Sequence, residues 1–209
     1  MKDLIALVEG KDDKQTLESL FRRFQALRIK EVDVDIFAHP QSGSGCLNDS
    51  ADFFRAINAS QRYKHALVVL DREGCGQDHR SVEELESSVR DQLRHSGWED
   101  RGDVVVIAPE LEAWIWSSSP EVDKALGWAQ KQPTLREWLL LNNWIEELDA
   151  KPIKPKEALQ AALREVRKPY SSSIHAELAK QVSLKRCSDT SFHRFKELLQ
   201  AWFSDDSNQ

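Results

Sequence analysis

Four short apolar runs, separated from one another by polar, amphipathic stretches, constrain this chain more than any other feature. They are Leu4-Ile5-Ala6-Leu7-Val8, Val32-Asp33-Val34-Asp35-Ile36-Phe37, His65-Ala66-Leu67-Val68-Val69-Leu70 and Val104-Val105-Val106-Ile107-Ala108. The first, third and fourth are close to continuously apolar, the profile of strands covered on both faces, whereas the second alternates as an edge strand does. Between the first two runs, Leu17, Leu20, Phe21, Phe24 and Leu27 recur at helical spacing, with Asp12 or Asp13 in place to cap the helix. The turn-rich stretch Pro40-Gln41-Ser42-Gly43-Ser44-Gly45 leads to a helix expected around residues 48–60, and a charged amphipathic helix is expected over 80–96. Strands alternating with helices need crossover connections. The fold class is therefore α/β, a mostly parallel sheet with helices on both faces.

From Glu110 onward the pattern turns helical, with helices expected near 110–117, 120–128, 133–148, 155–166, 173–181 and 189–203. The chain thus divides into an α/β core over 1–118 and a helical accessory region over 119–209, whose last residues, Ser204 to Gln209, are expected to fray. Charge divides in a similar way. Residues 1–112 hold 15 Lys and Arg against 22 Asp and Glu, while residues 151–196 hold 11 against 4. All 7 tryptophans lie at Trp98 or later, and Trp114, Trp116, Trp138, Trp144 and Trp202 are expected to pack helices against the sheet.

Several classes fall away. No apolar run nears the ~18 residues a membrane span requires, and the first run is too short for a signal peptide, so a cytoplasmic protein is expected. Cys46, Cys75 and Cys187 lie far apart with no CxxC pair, which argues against a disulfide framework or structural zinc. Ser42-Gly43-Ser44-Gly45 lacks the Gly-Lys of a phosphate-binding loop, so ATP binding is not expected. No nucleophile elbow or Cys-His spacing suggests a serine or cysteine hydrolase.

What remains is acidic. Glu9 ends the first strand, Asp71 and Glu73 end the third, and Glu110 and Glu112 follow the fourth. In parallel sheets functional groups gather at the carboxyl ends of the strands. Carboxylates crowded there repel unless a cation compensates, and hard ions such as Mg²⁺ or Mn²⁺ take oxygen ligands. Glu110 and Glu112 should point to different faces of the helix that starts there.

The strings themselves carry a resemblance. Val8-Glu9-Gly10-Lys11-Asp12-Asp13, with Leu17 eight residues after Glu9, resembles the first motif of Toprim domains, and Leu70-Asp71-Arg72-Glu73-Gly74 resembles their strand-ending Asp-x-Asp. Gly43-Ser44-Gly45 falls where Toprim folds commonly carry a Gly-containing loop. Pro109-Glu110-Leu111-Glu112-Ala113-Trp114 is similar to the further glutamate segment of overcoming-lysogenization-defect nucleases, and to a Glu-Ala-Trp of bacterial Toprim-like proteins. The resemblance spans residues 4–116. It implies a Toprim-like sheet and a metal-dependent phosphodiesterase. Glu9 would be general base or ligand, Asp71 and Glu73 ligands, and Glu112 a ligand of a second Mg²⁺ or Mn²⁺. It further implies a place in phage defence beside an ABC-type ATPase. Glu73 stands where the family has Asp, which keeps open a non-catalytic adaptor. A receiver-like module, with Asp12 and Asp13 holding Mg²⁺ and Asp71 phosphorylated, is a further alternative, but it gives Glu73 and Glu112 no role.

A carboxylate cluster alone would repel nucleic acid, so cations are needed nearby. Lys154, Lys156 and Lys168 are expected to supply them, with His175 as a proton carrier in the loop Lys168-Pro169-Tyr170-Ser171-Ser172-Ser173-Ile174-His175. DNA is expected ahead of RNA.

Overall fold

In the computed structural model, which describes residues 1–204, β1 (Lys2–Val8), β2 (Val34–Ala38), β3 (Tyr63–Asp71) and β4 (Gly102–Ile107) form one sheet. It is parallel throughout, in the order β2-β1-β3-β4. Residues 205–209, nearly all of the tail expected to fray, lie outside the described residues. The register pairs Val8 with Ala38 and Asp71 with Ile107, so the ends of β1, β3 and β4 are brought to one edge. That edge is where the acids stand.

Each strand alternates between two cores. Leu4, Ala6, Val8, Leu67, Val69, Val105 and Ile107 face one, while Ile5, Leu7, Ala66, Val68, Leu70, Val104 and Val106 face the other. The helices α1 (Lys11–Phe21) and α2 (Phe24–Leu27) cover the first face between β1 and β2. The second face is covered by α3 (Ser42–Asn48), α4 (Ser50–Ala56) and α5 (Ala59–Arg62), and by α6 (Val82–His95) between β3 and β4. Ser81 starts α6, accepting from the Glu84 N–H, while Glu84 accepts from the Ser81 N–H. The helix expected over 48–60 is thus three short ones, and it begins six residues early, at Ser42. The glycines explain this. A Cβ on Gly43 would lie 2.5 Å from Glu9 Oε1, and one on Gly45 would overlap the His39 ring. These glycines let a helix lie directly against the sheet edge rather than marking a turn.

The rest of the chain forms α7 (Glu112–Ile115), α8 (Pro120–Leu126), α9 (Leu135–Leu141), α10 (Pro155–Glu165), α11 (Ser172–Gln181) and α12 (Thr190–Phe203). The boundary expected at residue 118 does not separate two cores. Leu159, Leu163, Leu178, Phe195 and Leu199 from the helical part share one core with Leu4, Leu17 and Leu20. Tryptophan stitches the two together. Trp114, Trp116 and Trp128 are buried in this shared core and Trp138, Trp144 and Trp202 pack part-buried against it, while Trp98 is buried in the core on the other face. The indole N–H of Trp114 donates to Ser191 Oγ, that of Trp116 to the Pro155 carbonyl and that of Trp128 to the Ala162 carbonyl, so these buried donors are satisfied. Among the described residues no helix is long and apolar enough to cross a membrane.

Candidate functional site

Glu9 follows the last residue of β1 and turns its carboxylate across the sheet edge toward β3. Its Oε1 accepts the Asp71 N–H at 2.8 Å. One residue on, the Gly10 N–H donates to Asp13 Oδ2 at 3.1 Å, so Asp13 closes the turn from β1 into α1. The other Asp13 oxygen, Oδ1, is buried without a partner among the described residues, and so is Asp71 Oδ1. Glu112 opens α7 and is buried; its Oε1 lies 3.3 Å from His175 Nε2 and 3.2 Å from the Tyr170 hydroxyl. That hydroxyl is also 3.2 Å from Asp12 Oδ2. Glu9, Asp12, Asp13, Asp71, Glu112 and Lys156 line one cleft of ≈ 330 Å³ at the carboxyl edge of the sheet.

Burial and crowding decide the protonation of this cleft. Glu9 is pushed up to about 7, by burial first and then by Asp13, against the opposing Asp71 N–H. Burial pushes Asp13 up to about 6, with Glu112 and Asp12 adding to it. Asp71 is held well above the usual carboxylate range, by burial and then by Asp13, Glu9 and Glu112. Glu112 goes the other way: burial raises it, but the contact with His175 and the charge of Lys156 outweigh that and hold it low. Lys156 is raised, since Glu112, Glu110, Asp71 and Asp12 together overcome its burial. Of Glu9, Asp13, Asp71 and Glu112, three are therefore raised and Glu112 alone is held low.

This is a donor set that suits a hard cation. It offers oxygen only, two of its oxygens are buried and unpartnered, and its members destabilise one another in the absence of positive charge. Among the described residues no group of three or more His, Cys, Asp or Glu side chains is arranged to hold a metal ion.

The expected site residues fare differently. Glu9, Asp71 and Glu112 meet in the cleft, as does Lys156. Glu73 does not. Its N–H extends the sheet pairing to the Pro109 carbonyl at 2.9 Å, but its side chain is exposed beyond the strand end, where Gly74 turns the chain at φ 86°. His175, expected to face nucleic acid, is buried at 1% exposure because α11 packs on α1 and turns the ring inward. Lys168 donates its ammonium to the Ala125 carbonyl at the end of α8, and so ties two helices together instead of facing the cleft. Lys154 is exposed at the start of α10. Glu110 accepts the Lys156 N–H at 2.9 Å, anchoring the first turn of α10 and holding Lys156 over the cleft.

Asp13 is expected at a cation site only in the receiver-like alternative, and Tyr170, which reaches Glu112 and Asp12, is not expected at the site at all. Asp13 read as a helix cap, which it is, but a cap uses one carboxylate oxygen and leaves the other free. Tyr170 sits 58 residues from Glu112, and no spacing rule links them. Comparison of the chain with family models, with curated proteins and with solved structures gave no match.

The raised carboxyls fix a pH dependence. A carboxyl whose folded pKa is raised favours the folded state most when protonated, and loses that contribution as pH climbs through the folded value. For Glu9 this loss runs from 4.5 to about 7, worth roughly 3 kcal/mol on that span. In chelator, the thermal midpoint should fall as pH rises from 4.5 toward 7.5, and Glu9→Gln should flatten the fall while matching or exceeding the parent at neutral pH. Thermal unfolding followed by circular dichroism checks this; a midpoint that rises across the window would contradict it.

Proposed function

We propose that the chain is a Mg²⁺- or Mn²⁺-dependent phosphodiesterase acting on nucleic acid, DNA ahead of RNA. The observation that carries this is the cleft itself, lined by carboxylates from three strand ends and from the first turn of α1 and also by Lys11 and Lys156, with Asp13 Oδ1 and Asp71 Oδ1 buried and unpartnered among the described residues. The reading agrees with the Toprim resemblance of residues 4–116. It amends the ligand set, with Asp13 in the cleft where Glu73 is not. Glu9, Asp13, Asp71 and Glu112 would hold the cation, which supplies Lewis-acid stabilisation of the phosphoryl oxygens and an activated water. Glu9, with Oε1 taken by the Asp71 N–H, would have Oε2 alone to offer, as a ligand of the cation or as a general base. Lys156, kept charged by the acids around it, offsets phosphate charge as the strand approaches. A cytoplasmic location and control by an ABC-type ATPase belong to the same reading, and the ATPase rests on the resemblance alone.

One observation favours a second reading. Asp12, Asp13, Asp71 and a lysine share the cleft on a sheet of order β2-β1-β3-β4, an arrangement compatible with a receiver-like phospho-acceptor. It gives Glu9 and Glu112 no role and would phosphorylate a buried carboxyl. Acetyl phosphate should leave Asp71 unmodified by mass spectrometry; a stable adduct there would support the receiver.

The direct test is a nuclease assay on supercoiled plasmid, single-stranded DNA and RNA with Mg²⁺ or Mn²⁺. Cleavage is expected with either ion and not in chelator, and Glu9→Gln or Asp71→Asn should lower it by about 10²–10⁴-fold. Binding without cleavage in the parent would instead make this a non-catalytic adaptor.

The lysines separate cleanly. Lys156→Glu should weaken nucleic-acid binding across sequences and reduce the slope of log affinity against log salt by about 1. Lys168→Glu should lower the thermal midpoint and leave that slope alone. Fluorescence anisotropy at several salt concentrations measures both, and an unchanged slope for Lys156→Glu would remove it from the interface.

A further inference from the structure

Of the carboxylates in the cleft, Glu112 is held most tightly from behind. His175 Nε2 and the Tyr170 hydroxyl converge on one of its oxygens, Oε1, at 3.3 and 3.2 Å. An ionised carboxylate only accepts, so Nε2 must carry the proton that it shares with Glu112. The His175 ring has little freedom to do otherwise. It is buried in α11, and its other face of contact is the edge of the Tyr170 ring, centroid to centroid 5.6 Å at 76°. Its Nδ1 has no protein partner and, with Thr16, lines an apolar cavity of ≈ 20 Å³ between α1 and α11, room for about one water. Glu9 is held in a comparable way, since its Oε1 takes the Asp71 N–H and lies under Gly43. Each of these two carboxylates has one oxygen occupied from outside the cleft.

That matters for which cation fits. Ca²⁺ takes six to eight oxygens and uses carboxylates in the bidentate mode readily, whereas Mg²⁺ and Mn²⁺ are satisfied by a few single oxygens with water completing six. A carboxylate whose Oε1 is already hydrogen-bonded from behind has to shed that contact before it can chelate with both oxygens. We propose that His175 and Tyr170 are positioning residues that fix Glu112 as a one-oxygen ligand, and that the cleft thereby selects a small six-coordinate cation over Ca²⁺. This rests on the reading of the cleft as a cation site, and it adds the selectivity and the two residues that set it. His175, expected at the nucleic-acid surface, acts behind the site instead. Tyr170 stands on the solvent side, with its one O–H proton shared between Glu112 Oε1 and Asp12 Oδ2, each 3.2 Å away.

The test reads binding rather than turnover. Mn²⁺ affinity of the full chain is measured by electron paramagnetic resonance of the free ion, with Mg²⁺ and Ca²⁺ as competitors. The parent should bind Mn²⁺, yield it to Mg²⁺, and yield it to Ca²⁺ only at a much higher concentration. Tyr170→Phe removes one hydroxyl from a part-exposed site and should fold normally. It should lose Mn²⁺ affinity and narrow the preference over Ca²⁺. His175→Leu should lose about 10–100-fold in affinity, the usual cost of deleting a group that orients a ligand. His175→Gln, whose amide N–H can reach toward Oε1, should recover most of that loss, which a merely space-filling role for the ring would not give. If the parent binds Mn²⁺ and both Tyr170→Phe and His175→Leu keep its affinity and its Ca²⁺ discrimination, the positioning role is wrong while the cation site stands. If the parent binds no Mn²⁺ at all, the cation reading falls and this inference falls with it.

Discussion

Much of this structure is organised around a carboxylate that has been taken out of water. Glu9 is largely buried at the end of β1, with Oε1 on the Asp71 N–H and α3 lying so close that a Cβ at position 43 would push the carboxylate aside. A buried carboxylate is costly unless it is neutralised or paired. Here it is surrounded by other acids, which raises the cost further. The neighbouring elements answer that problem. The turn into α1 is tied by Asp13, α10 is anchored by Glu110 so that Lys156 overhangs the acids, and α11 brings His175 behind Glu112.

The balance within the cleft is uneven, and the unevenness is informative. One acid, Glu112, has its positive partners and is held low, while Glu9, Asp13 and Asp71 are raised. A purely structural ion-pair network would pair each acid and lower them together. Five carboxylates share the cleft with two lysines, Lys11 and Lys156, so acids outnumber the cations that line it, and a divalent ion would offset that excess. The helical part of the chain contributes to this directly. Lys156, Tyr170 and His175 all come from beyond residue 150, which is why it shares a core with the sheet and is not an appendage.

Most of the sheet was legible in the sequence because buried parallel strands leave continuous apolar runs and an edge strand leaves an alternating one. The acids at the strand ends could be placed at one edge from topology alone, and Glu9, Asp71 and Glu112 do meet there. What failed to show was geometry at the scale of one residue. Glu73 lies two positions after Asp71, close enough in sequence to be read as its partner, yet its side chain is exposed and outside the cleft. Gly43 and Gly45 read as a turn because glycine usually marks one, whereas here they permit close approach of a helix. The direction of a helical side chain depends on what packs beside it. His175 was read as exposed because its neighbours in sequence are polar, and it is the packing of α11 on α1 that buries it. Lys168 belongs to the same class, since an ammonium on a helix-flanking residue can face solvent or reach a carbonyl, and only the position of Ala125 decides.

The central claim is that burial and mutual repulsion keep protons on this cluster that a cation would displace. The measurement that tests it most directly is the number of protons released when Mg²⁺ binds, from calorimetric titrations at pH 6.5 in buffers of different ionisation enthalpy. With Glu9 raised to about 7 and Asp71 held well above the carboxylate range, binding should release about one proton or more per ion at that pH. The release should shrink by pH 8.5. Binding with no proton release at pH 6.5 would show that the carboxylates were already ionised, and would contradict the account.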